Sequence, residues 1–554
     1  MTFSRIAGLV FPLIVIGSAD ASALDLPDTA KPVVQAIRIE GDLKLTGDLS
    51  DPRWQLAQPV EMKYEVTPGE NTPAPQRTFV RVLYNKDNIY FGVDCQDSNP
   101  SAIRAHITDR DKMFDDDFFD VILDTYGDFQ RGYEIVVNPY GIQGDLLMTS
   151  GNEDPSYDMV WESEASIGRE GWKAEMAIPF KSLRFPAIPV QNWHIVFIRN
   201  MPRASRVQMS WVPLDRNNPC LLCQDGLLKG IQDVQSVTTV DLLPYVVGQE
   251  SGALNDFSNP SSSFDNGKIK GRVGIGLRYS PTPDVSVEGV VNPDFSQVES
   301  DATQISVNSN FALFYPEKRP FFLTNSDIFQ NQTQTFYSRT INNPLGAARV
   351  NGKSGSFSFA YLAASDRNTP FIVPGEETSD YVATDLQSFS NVARAKYDLG
   401  DESFIGGTVI TRNTGSAHNY VGGFDWNYKF WANWYFQGET FYTDTKEVND
   451  TTLLESTRTF GSTGKDAAFN GQEYGGLGSQ LVIRRDGRTF GFWFRYIDRS
   501  PLFQAQDGFV PSNDQRMGMF NEYLQFYPND AFIDNWSIGA NAGLHFNHDQ
   551  VRKE

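Results

Sequence analysis

GRVGIGLRYS, residues 271–280, alternates apolar with polar or small side chains at a period of two. Successive side chains of a β-strand point to opposite faces, so one face of this segment is wholly apolar: Val273, Ile275, Leu277 and Tyr279. Three later segments repeat the alternation: 419–430, 488–498 and 536–546. A strand with one apolar and one polar face sits in lipid only when its sheet closes and leaves no edge unpaired. The alternation therefore predicts a barrel in a bacterial outer membrane.

The composition favours strands over helices as membrane-spanning elements. Aromatic residues make up 13% of the 554 residues, which suits the aromatic girdles of an outer-membrane barrel. After its first residues the chain holds no apolar run of roughly 20 residues, the length that a spanning helix needs. Its formal net charge of -22 argues against binding to nucleic acid and against simple adsorption on anionic lipid. We therefore expect outer-membrane lipid as a partner and exclude nucleic acid.

Residues 1–23 have the features of a secretory signal peptide. Arg5 supplies the positive end, residues 6–16 form the apolar stretch, and Ala21-Ser22-Ala23 provides the small residues for cleavage. The mature chain is expected to begin near Leu24.

Two folded sections are predicted after the signal. Residues 24–233 hold many short β-like runs at regular spacing, which indicates an antiparallel sandwich. The clearest pair, 79–84 and 88–94, flanks a turn at 85–87 and predicts a hairpin. Residues 239–554 hold the amphipathic strands, about 12 to 14 of them at ~10 residues per strand plus connections. The expected fold class is all-β: an N-terminal antiparallel β-sandwich followed by an antiparallel outer-membrane β-barrel.

The connections and the end of the second section also carry expectations. Three polar, glycine-containing stretches are expected to be exposed loops: 255–268, 370–380 and 448–469. Barrel chains typically close on a strand that ends in an aromatic residue, whereas this chain ends Phe546-Asn-His-Asp-Gln-Val-Arg-Lys-Glu554. The barrel is therefore expected to be truncated, which leaves its closure open.

Three cysteines fit an oxidising compartment that uses few disulfides. Cys220 and Cys223 lie in a loop rich in proline and asparagine, where neither a redox helix nor two further zinc ligands are near in sequence. A small loop disulfide or a pair of free thiols is expected there. Cys95, in the apolar run 89–95, is expected in the core.

Five blocks, in this order across the first section, are similar to those of family-nine carbohydrate-binding-module-like domains. They are IEGDLKLTGDLSDPRW (39–54), RDKMFDDDFFDVILDTYGD (110–128), GYEIVVNPYGIQGD (132–145), WKAEMAIPFKSLRF (172–185) and FIRNMPR (197–203). The resemblance implies a sandwich that recognises carbohydrate, with calcium stabilising some members.

Two further blocks, VNPDFSQVESDATQI (291–305) and FYPEKRPFFL (314–323), resemble an uncharacterised bacterial family in which such a module precedes an outer-membrane barrel. The family's activity is not established, and its members are commonly labelled as carbohydrate-binding proteins or hydrolases. The resemblance therefore implies the architecture more firmly than a function.

The densest group of carboxylates predicts a calcium site. Asp109, Asp111, Asp115 and Asp116 are hard oxygen ligands on one loop, and calcium is the cofactor that such ligands suit, although the spacing is not that of an EF-hand. The alternative is a solvated loop entering a strand, with Asp117 and Asp120 paired with arginines.

Sugar binding needs flat aromatic faces and a few polar groups that fix the hydroxyls. Trp161 lies in a polar loop and is the predicted stacking residue, with Arg110, Asn138 and Asn200 as polar partners. The alternative is that Trp161 belongs to the core. Trp54, Trp172 and Trp193 lie on strand patterns and are predicted core residues.

We find no catalytic constellation. The five histidines form no H-E-x-x-H pair, and with 69 acidic residues a facing carboxylate pair can always be chosen. The sharpest charged spot of the second section is Glu317-Lys318-Arg319, for which Asp294 and Glu299 are candidate partners. It is interpreted as a salt-bridge plug, or alternatively as a gate or a docking point for the front domain.

The sequence therefore favours an outer-membrane protein whose sandwich binds a glycan or similar polar ligand and whose barrel anchors it or conducts the ligand. Two alternatives remain: a membrane-associated glycoside hydrolase or its accessory module, and a structural or assembly protein with no small ligand. Because the sandwich precedes the first barrel strand, a periplasmic position is expected for it, where a periplasmic partner is conceivable.

Overall fold

The predicted hairpin forms around residues 85–87, between the strands Thr78–Tyr84 and Asn88–Gln96. The Asn85 side-chain oxygen accepts hydrogen bonds from the backbone N–H groups of Asp87 and Asn88, at 2.8 and 2.7 Å. Such an Asx turn fixes the chain reversal locally. The hairpin is the centre of one sheet of the first section.

The computed structural model describes residues 31–149, 152–155, 157–234, 239–250, 252–256, 258–282, 284–293, 311–317, 319–323, 326–400, 402–431, 433–528, 533 and 535–553. The predicted signal peptide, 1–23, and the predicted partners Asp294, Glu299 and Lys318 lie outside these residues. None of the helices in the described ranges has the length and apolar composition to cross a membrane.

Sixteen strands build the first section. They are β1 (Val33–Gln35), β2 (Ile37–Arg38), β3 (Val60–Glu61), β4 (Tyr64–Thr67), β5 (Thr72–Pro73), β6 (Thr78–Tyr84), β7 (Asn88–Gln96), β8 (Phe118–Asp124), β9 (Arg131–Val137), β10 (Gln143–Thr149), β11 (Asn152–Asp154), β12 (Glu162–Gly168), β13 (Gly171–Pro179), β14 (Trp193–Pro202), β15 (Arg206–Ser210) and β16 (Gly226–Lys229). Short 3-10 helices lie at Pro52–Leu56, Pro100–Ala102, Phe180–Ser182 and Leu222–Gln224.

These strands form two sheets that face each other across one apolar core. The larger follows the order β11-β10-β9-β8-β14-β15-β4-β5, with β16 and β1 joined to it through β14, and the smaller follows β12-β13-β7-β6-β2, with β3 on β6. Phe91 of β7 and Phe197 of β14 meet edge to face, with ring centroids 6.1 Å apart. Trp172 and Trp193 are fully buried, as predicted, and so are Trp54 and Cys95. The predicted sandwich-like arrangement is therefore confirmed.

The second section holds seventeen strands in its described residues. They are β17 (Thr239–Gln249), β18 (Gly252–Leu254), β19 (Phe264–Asn266), β20 (Lys270–Thr282), β21 (Val285–Val291), β22 (Pro344–Ser354), β23 (Phe357–Asp366), β24 (Phe371–Val373), β25 (Asp380–Val382), β26 (Ser388–Gly400), β27 (Ser403–Thr414), β28 (Ala417–Phe430), β29 (Trp434–Lys446), β30 (Glu473–Arg485), β31 (Phe490–Arg499), β32 (Gln515–Phe526) and β33 (Trp536–Phe546). Short helices lie at Pro320–Leu323 (α1), Asp327–Phe329 and Ser338–Thr340.

One antiparallel sheet of 13 strands dominates this section. It runs β17-β20-β21-β22-β23-β26-β27-β28-β29-β30-β31-β32-β33, with each strand paired to its neighbour in chain order, and β18-β19 and β24-β25 are separate hairpins. At one of the two-residue reversals, 415–416, Gly415 adopts a φ of 62°, which glycine tolerates better than other residues. Within the described ranges no pairing joins β17 to β33, so the sheet is seen without closure.

The two faces of the large sheet invert the usual order of a water-soluble protein. In β28, Phe424 is 55% exposed while the next residue, Asp425, is 7% exposed. The same inversion holds for the segment at 271–280, whose apolar side chains are all exposed. The outward face is therefore apolar, whereas the inward face carries the polar side chains together with a cluster of buried apolar ones.

Residues 319–323, 326–341 and 503–510 cover the inward face. Phe322 and Phe503 pack in one cluster with the inward side chains Val392 and Phe441. Arg319 donates hydrogen bonds to Glu317, at 2.8 and 2.6 Å. The position of Glu317 and Arg319 beside the inward face is compatible with the interpretation of a salt-bridge plug, in which these two residues form an ion pair.

The predictions of exposed loops at 370–380 and 448–469 are wrong in part. Phe371 and Phe469 are buried and meet at a ring-centroid distance of 5.4 Å, and Phe460 and Tyr474 belong to the same cluster. The prediction rested on the mainly polar composition of these stretches. Their few aromatic residues become buried against one another because the two connections pack together. The stretch 255–268 is mostly exposed, as predicted.

Candidate ligand-binding site of the sandwich

The loop that precedes β8 is fixed by buried carboxylates. Asp116 accepts hydrogen bonds from the His106 backbone N–H at 2.9 Å and from the Asn138 side chain at 3.0 Å, and it contacts His106 Nδ1 at 2.6 Å. Asp117 receives a bidentate pair of hydrogen bonds from Arg203, at 2.7 and 2.9 Å. The predicted pairing of Asp117 with an arginine is therefore confirmed.

The same prediction is wrong for Asp120, whose neighbour is another carboxylate. Burial raises the pKa of Asp120 well above its usual range, and burial together with Glu153 raises the pKa of Glu134 to about 7. The two side chains share a hydrogen bond. Glycosidase carboxylates stand at least about 5 Å apart so that the sugar fits between them. This pair therefore does not fit that geometry.

The predicted sugar ligands Asn138 and Asn200 are buried, and both hold the backbone in place. Asn138 donates to the His106 carbonyl at 3.1 Å and accepts from the backbone N–H groups of Tyr140 and Ile142. Asn200 donates to the Asp116 carbonyl at 3.1 Å. Both asparagines therefore fix the backbone around the loop before β8. Contact of either side chain with a sugar stays a prediction.

Arg110, the third predicted polar partner, lies at the surface of this rim. Its guanidinium donates to Gln143 Oε1 at 2.5 Å and to the Met159 carbonyl at 2.6 Å, and it is paired with the buried Asp145. Burial raises the pKa of Asp145 to about 6 although Arg110 opposes the shift. Asp158 lies 3.4 Å from Arg110 Nε and is exposed, so the arginine joins the loop at 157–161 to β10.

Trp161, the predicted stacking residue, is 4% exposed and packs into the core of the sandwich. Its ring offers no open face to a sugar in this arrangement. The alternative interpretation, a core tryptophan, describes this placement better, because Met159 and Tyr157 pack into the same cluster. A role for Trp161 in binding stays a prediction.

The four aspartates predicted to bind calcium do not converge. Asp109 and Asp115 are exposed, Asp116 is engaged as described, and Asp111 accepts a hydrogen bond from the Asp145 backbone at 3.0 Å. Among the described residues, the one group of three potential ligand atoms within 4.8 Å of one another is Cys220, Cys223 and Glu402. The residues of the 109–116 loop therefore do not form a ready ion site.

An exposed aromatic residue missed in the sequence lies beside this loop. Tyr140 is 51% exposed at the turn between β9 and β10, and Asn138 ties that turn to His106. We define the rim patch as six exposed or half-buried residues of three hydrogen-bonded segments: His106, Ile107, Arg110, Tyr140, Asp158 and Val160. The signal was present, because Asn138-Pro-Tyr-Gly141 reads as a turn, and turns present their side chains to solvent.

Cys220 and Cys223 form a disulfide, with their Cα atoms 5.4 Å apart, so the disulfide alternative is confirmed. The bridge closes a tight turn within the loop 217–226, whose polar groups reach the large sheet. Asn217 accepts a hydrogen bond from Asn433 at 3.2 Å and a second from the backbone N–H of Arg488. The loop therefore belongs to the contact between the two sections.

Two family models match separate parts of the chain. Residues 45–201 match the carbohydrate family 9 binding domain-like family, and residues 238–354 match a domain of unknown function, DUF5916. No curated protein matches the chain.

Solved structures of two kinds are similar to the chain. A carbohydrate-binding module of family 9 from Caldicellulosiruptor kristjanssonii, in complex with glucose, is 11% identical and covers 37% of this chain and 99% of its own, with a TM-score of 0.28. A putative carbohydrate-binding protein from Bacteroides uniformis is 13% identical, with 36% and 97% covered and a TM-score of 0.30. OpdK of Pseudomonas aeruginosa, solved with vanillate, is 8% identical, with 78% and 94% covered and a TM-score of 0.25. The matches to family models identify a carbohydrate family 9 binding domain-like domain within the sandwich and a DUF5916 domain after it.

Proposed function

We propose that this protein binds a glycan through its sandwich and is held in a bacterial outer membrane by its large sheet. The observation that carries glycan recognition is the match of residues 45–201 to the carbohydrate family 9 binding domain-like family. The rim patch supplies the chemistry, since Tyr140 offers an aromatic ring and Arg110 and Asp158 offer a donor and an acceptor for sugar hydroxyls.

Replacing Tyr140 by alanine is expected to weaken glycan binding about tenfold, because packing of an aromatic ring against sugar C–H groups is taken to contribute up to about 1.5 kcal/mol, as aromatic pairs do. The full chain in detergent micelles is screened on an array of neutral and charged oligosaccharides, and the strongest probe is titrated by calorimetry. Tyr140→Phe keeps the ring and is expected to bind within about threefold of the wild type. The titration is run with calcium chloride and with EGTA, because calcium binding by the 109–116 loop is also proposed and requires its aspartates to rearrange, since they do not converge in this structure.

Equal affinity of the wild type and Tyr140→Ala would place recognition elsewhere on the sandwich. Absence of binding to every oligosaccharide would favour the structural role instead. Hydrolysis of a probe during the titration would favour the glycosidase alternative. Identical affinities with calcium and with EGTA would remove the calcium from the proposal.

The membrane position rests on the two faces of the large sheet. Outer-membrane barrels have an apolar outward face in contact with lipid and a mainly polar interior. Anchoring is favoured over conduction because the inward face is occupied: Arg412 donates to the Pro370 carbonyl at 2.9 Å, and Glu439 accepts from the Gln332 backbone at 3.0 Å.

The contacts of the sandwich support a periplasmic position for it. It meets the large sheet at the short reversals: Tyr126 donates to Asp284 at 2.6 Å, and Asn217 contacts Asn433. The connections at the opposite end are mostly longer, as between β29 and β30. Outer-membrane barrels place short turns in the periplasm and long loops outside.

Protease applied to intact cells is therefore expected to spare the sandwich and to cut it once the outer membrane is permeabilised. An antibody to the sandwich reads the result on a blot. Cleavage of the sandwich without permeabilisation would reverse the orientation. A second antibody, to a periplasmic protein, reports whether the cells stayed intact.

A further inference from the structure

A polar cavity lies in the long connections at the end of the large sheet opposite the sandwich. Its volume is about 360 Å³, and its walls come from four separate parts of the chain: 375–378, 458–461, 513–514 and Lys553. Pockets that hold small ligands begin at about 300 Å³. The site is independent of the rim patch, which lies on the other domain.

Ion pairs hold two walls of the cavity in place. Lys553 Nζ lies 2.9 Å from Glu376 Oε1 and 2.8 Å from Glu377 Oε1. Arg458 donates to Asp380 at 2.6 Å and to the Thr378 carbonyl at 2.6 Å. These contacts tie the 375–378 segment to two others, so the cavity is a built feature of the folded chain.

The wall at 513–514 carries a buried carboxylate, Asp514, one of whose oxygens accepts no hydrogen bond from the described residues. Asp514 is 2% exposed, and its Oδ1 accepts hydrogen bonds from the backbone N–H and from Nδ1 of His548, both at 2.9 Å. Asp514 Oδ2 has no hydrogen-bond partner in the part of the chain that the structure describes. A buried acceptor without a hydrogen bond costs about 1–3 kcal/mol of folding free energy, so a ligand that donates a hydrogen bond to it would recover this free energy.

A glycine keeps space beside this oxygen. Gly461 has a φ of 53°, and a Cβ added to it would lie 2.9 Å from Asp514 Oδ2. The unused oxygen therefore lies at the wall that Gly461 shares with the cavity. A side chain at 461 would therefore crowd Asp514 Oδ2.

The charges around the cavity favour a cation. Its lining holds three carboxylates, from Glu376, Glu377 and Asp514, and two cations, from Arg458 and Lys553. Behind it, His548 Nε2 contacts Asp498 at 2.9 Å, and Arg516 lies 3.4 Å from the same carboxylate. Protonated His548 and Arg516 balance Asp498 and Asp514, and Arg458 balances Asp380. Lys553 offsets one of the two charges of Glu376 and Glu377, which leaves one negative charge in excess.

We propose that this cavity binds a small organic amine of about the size of an amino sugar, with its ammonium group donating to Asp514 Oδ2. The ammonium satisfies the unused acceptor and compensates the excess negative charge. The polar walls offer hydrogen-bonding groups to hydroxyls on the rest of the ligand. Under the orientation proposed above, the cavity opens to the medium.

Glucosamine is the probe, and N-acetylglucosamine is its matched neutral control. The full chain in detergent micelles is titrated with each by calorimetry at pH 6, where the glucosamine amine is charged. We expect a millimolar dissociation constant for glucosamine and binding at least tenfold weaker for N-acetylglucosamine. Asp514→Asn is expected to weaken glucosamine binding at least tenfold, because the amide of asparagine carries no charge.

Control variants separate this site from the sandwich and from general effects of charge. Asp256→Asn removes an exposed carboxylate from another connection at the same end and is expected to leave the affinity unchanged. Tyr140→Ala is introduced into every protein of this titration, so that sugar binding at the rim patch does not contribute to the measured heat. If Asp514→Asn does not fold, Glu377→Gln serves instead, with an expected loss of three- to tenfold. Equal binding of the two sugars, or equal affinity of the wild type and the Asp514 or Glu377 variant, would overturn the proposal.

Discussion

Replacing Arg203 by methionine is expected to destabilise the sandwich by about 3 kcal/mol, because it leaves the buried Asp117 without its cation and Asp97 with Arg199 alone. Arg203 donates to both oxygens of Asp117, at 2.7 and 2.9 Å, and to Asp97 at 2.7 Å. Asp117 and Asp97 are both buried. Methionine keeps much of the side-chain volume but removes the charge and the fork of donors. Urea unfolding of the full chain, followed by tryptophan fluorescence, measures the change.

Arg169→Met is the matched control, because Arg169 is an exposed arginine of the same domain. Its effect on the free energy of unfolding is expected to stay within about 0.5 kcal/mol. Adding Asp117→Asn to Arg203→Met is expected to recover part of the loss, since the uncompensated charge on Asp117 is then absent. A loss below about 1 kcal/mol for Arg203→Met would show that the ion pair contributes little to folding.

This ion pair illustrates how far the sequence can predict a contact. The mainly apolar run 118–124 predicts a strand and places Asp117 directly before it, where a partner is needed once the strand is buried. The partner is 86 residues away along the chain, in the turn after β14. For Asp120 the same argument gave the wrong partner type, because Glu134 comes from the neighbouring strand and local composition does not show cross-strand neighbours.

At the candidate site, local sequence also fails to predict which side chains are buried. Trp161 lies in a polar stretch, and local polarity predicted an exposed ring. In the folded sandwich the stretch closes over the core, so the largest apolar side chain turns inward and the charged neighbour Asp158 turns out. Tyr140 directly follows an apolar strand, so its sequence neighbours do not mark it as exposed. The turn that contains it nevertheless presents the ring to solvent.

The strands of the large sheet were more predictable than the connections between them. A period of two in side-chain polarity is local, so the segment at 536–546 matches β33 at both ends. The cavity near Asp514 depends on four segments that meet only after folding. No spacing in the sequence marks such a site, since the residues of 375–378 and 458–461 show ordinary loop composition when each is taken alone.

Replacing Val409 by arginine is expected to destabilise the large sheet by about 2–4 kcal/mol in a bilayer, because a charge at the centre of a lipid-facing strand is costly. Val409 is at the middle of β27 and is 56% exposed, whereas its neighbour Ile410 is fully buried on the inward face. The measurement is urea unfolding of the chain reconstituted in phosphatidylcholine vesicles. The same variant is expected to be depleted from the outer-membrane fraction of cells.

The size of this effect decides between lipid and water at the outward face. Leu56→Arg is the matched control, because Leu56 is 58% exposed on the sandwich and is expected to meet water, where such a change stays within about 0.5 kcal/mol. If water also covered the outward face of β27, the two variants would behave alike, since an arginine on a solvated surface costs little. A loss confined to Val409→Arg requires an apolar solvent on that face. Equal, small effects in both variants would remove the large sheet from the membrane and leave its apolar face to be covered by another protein surface.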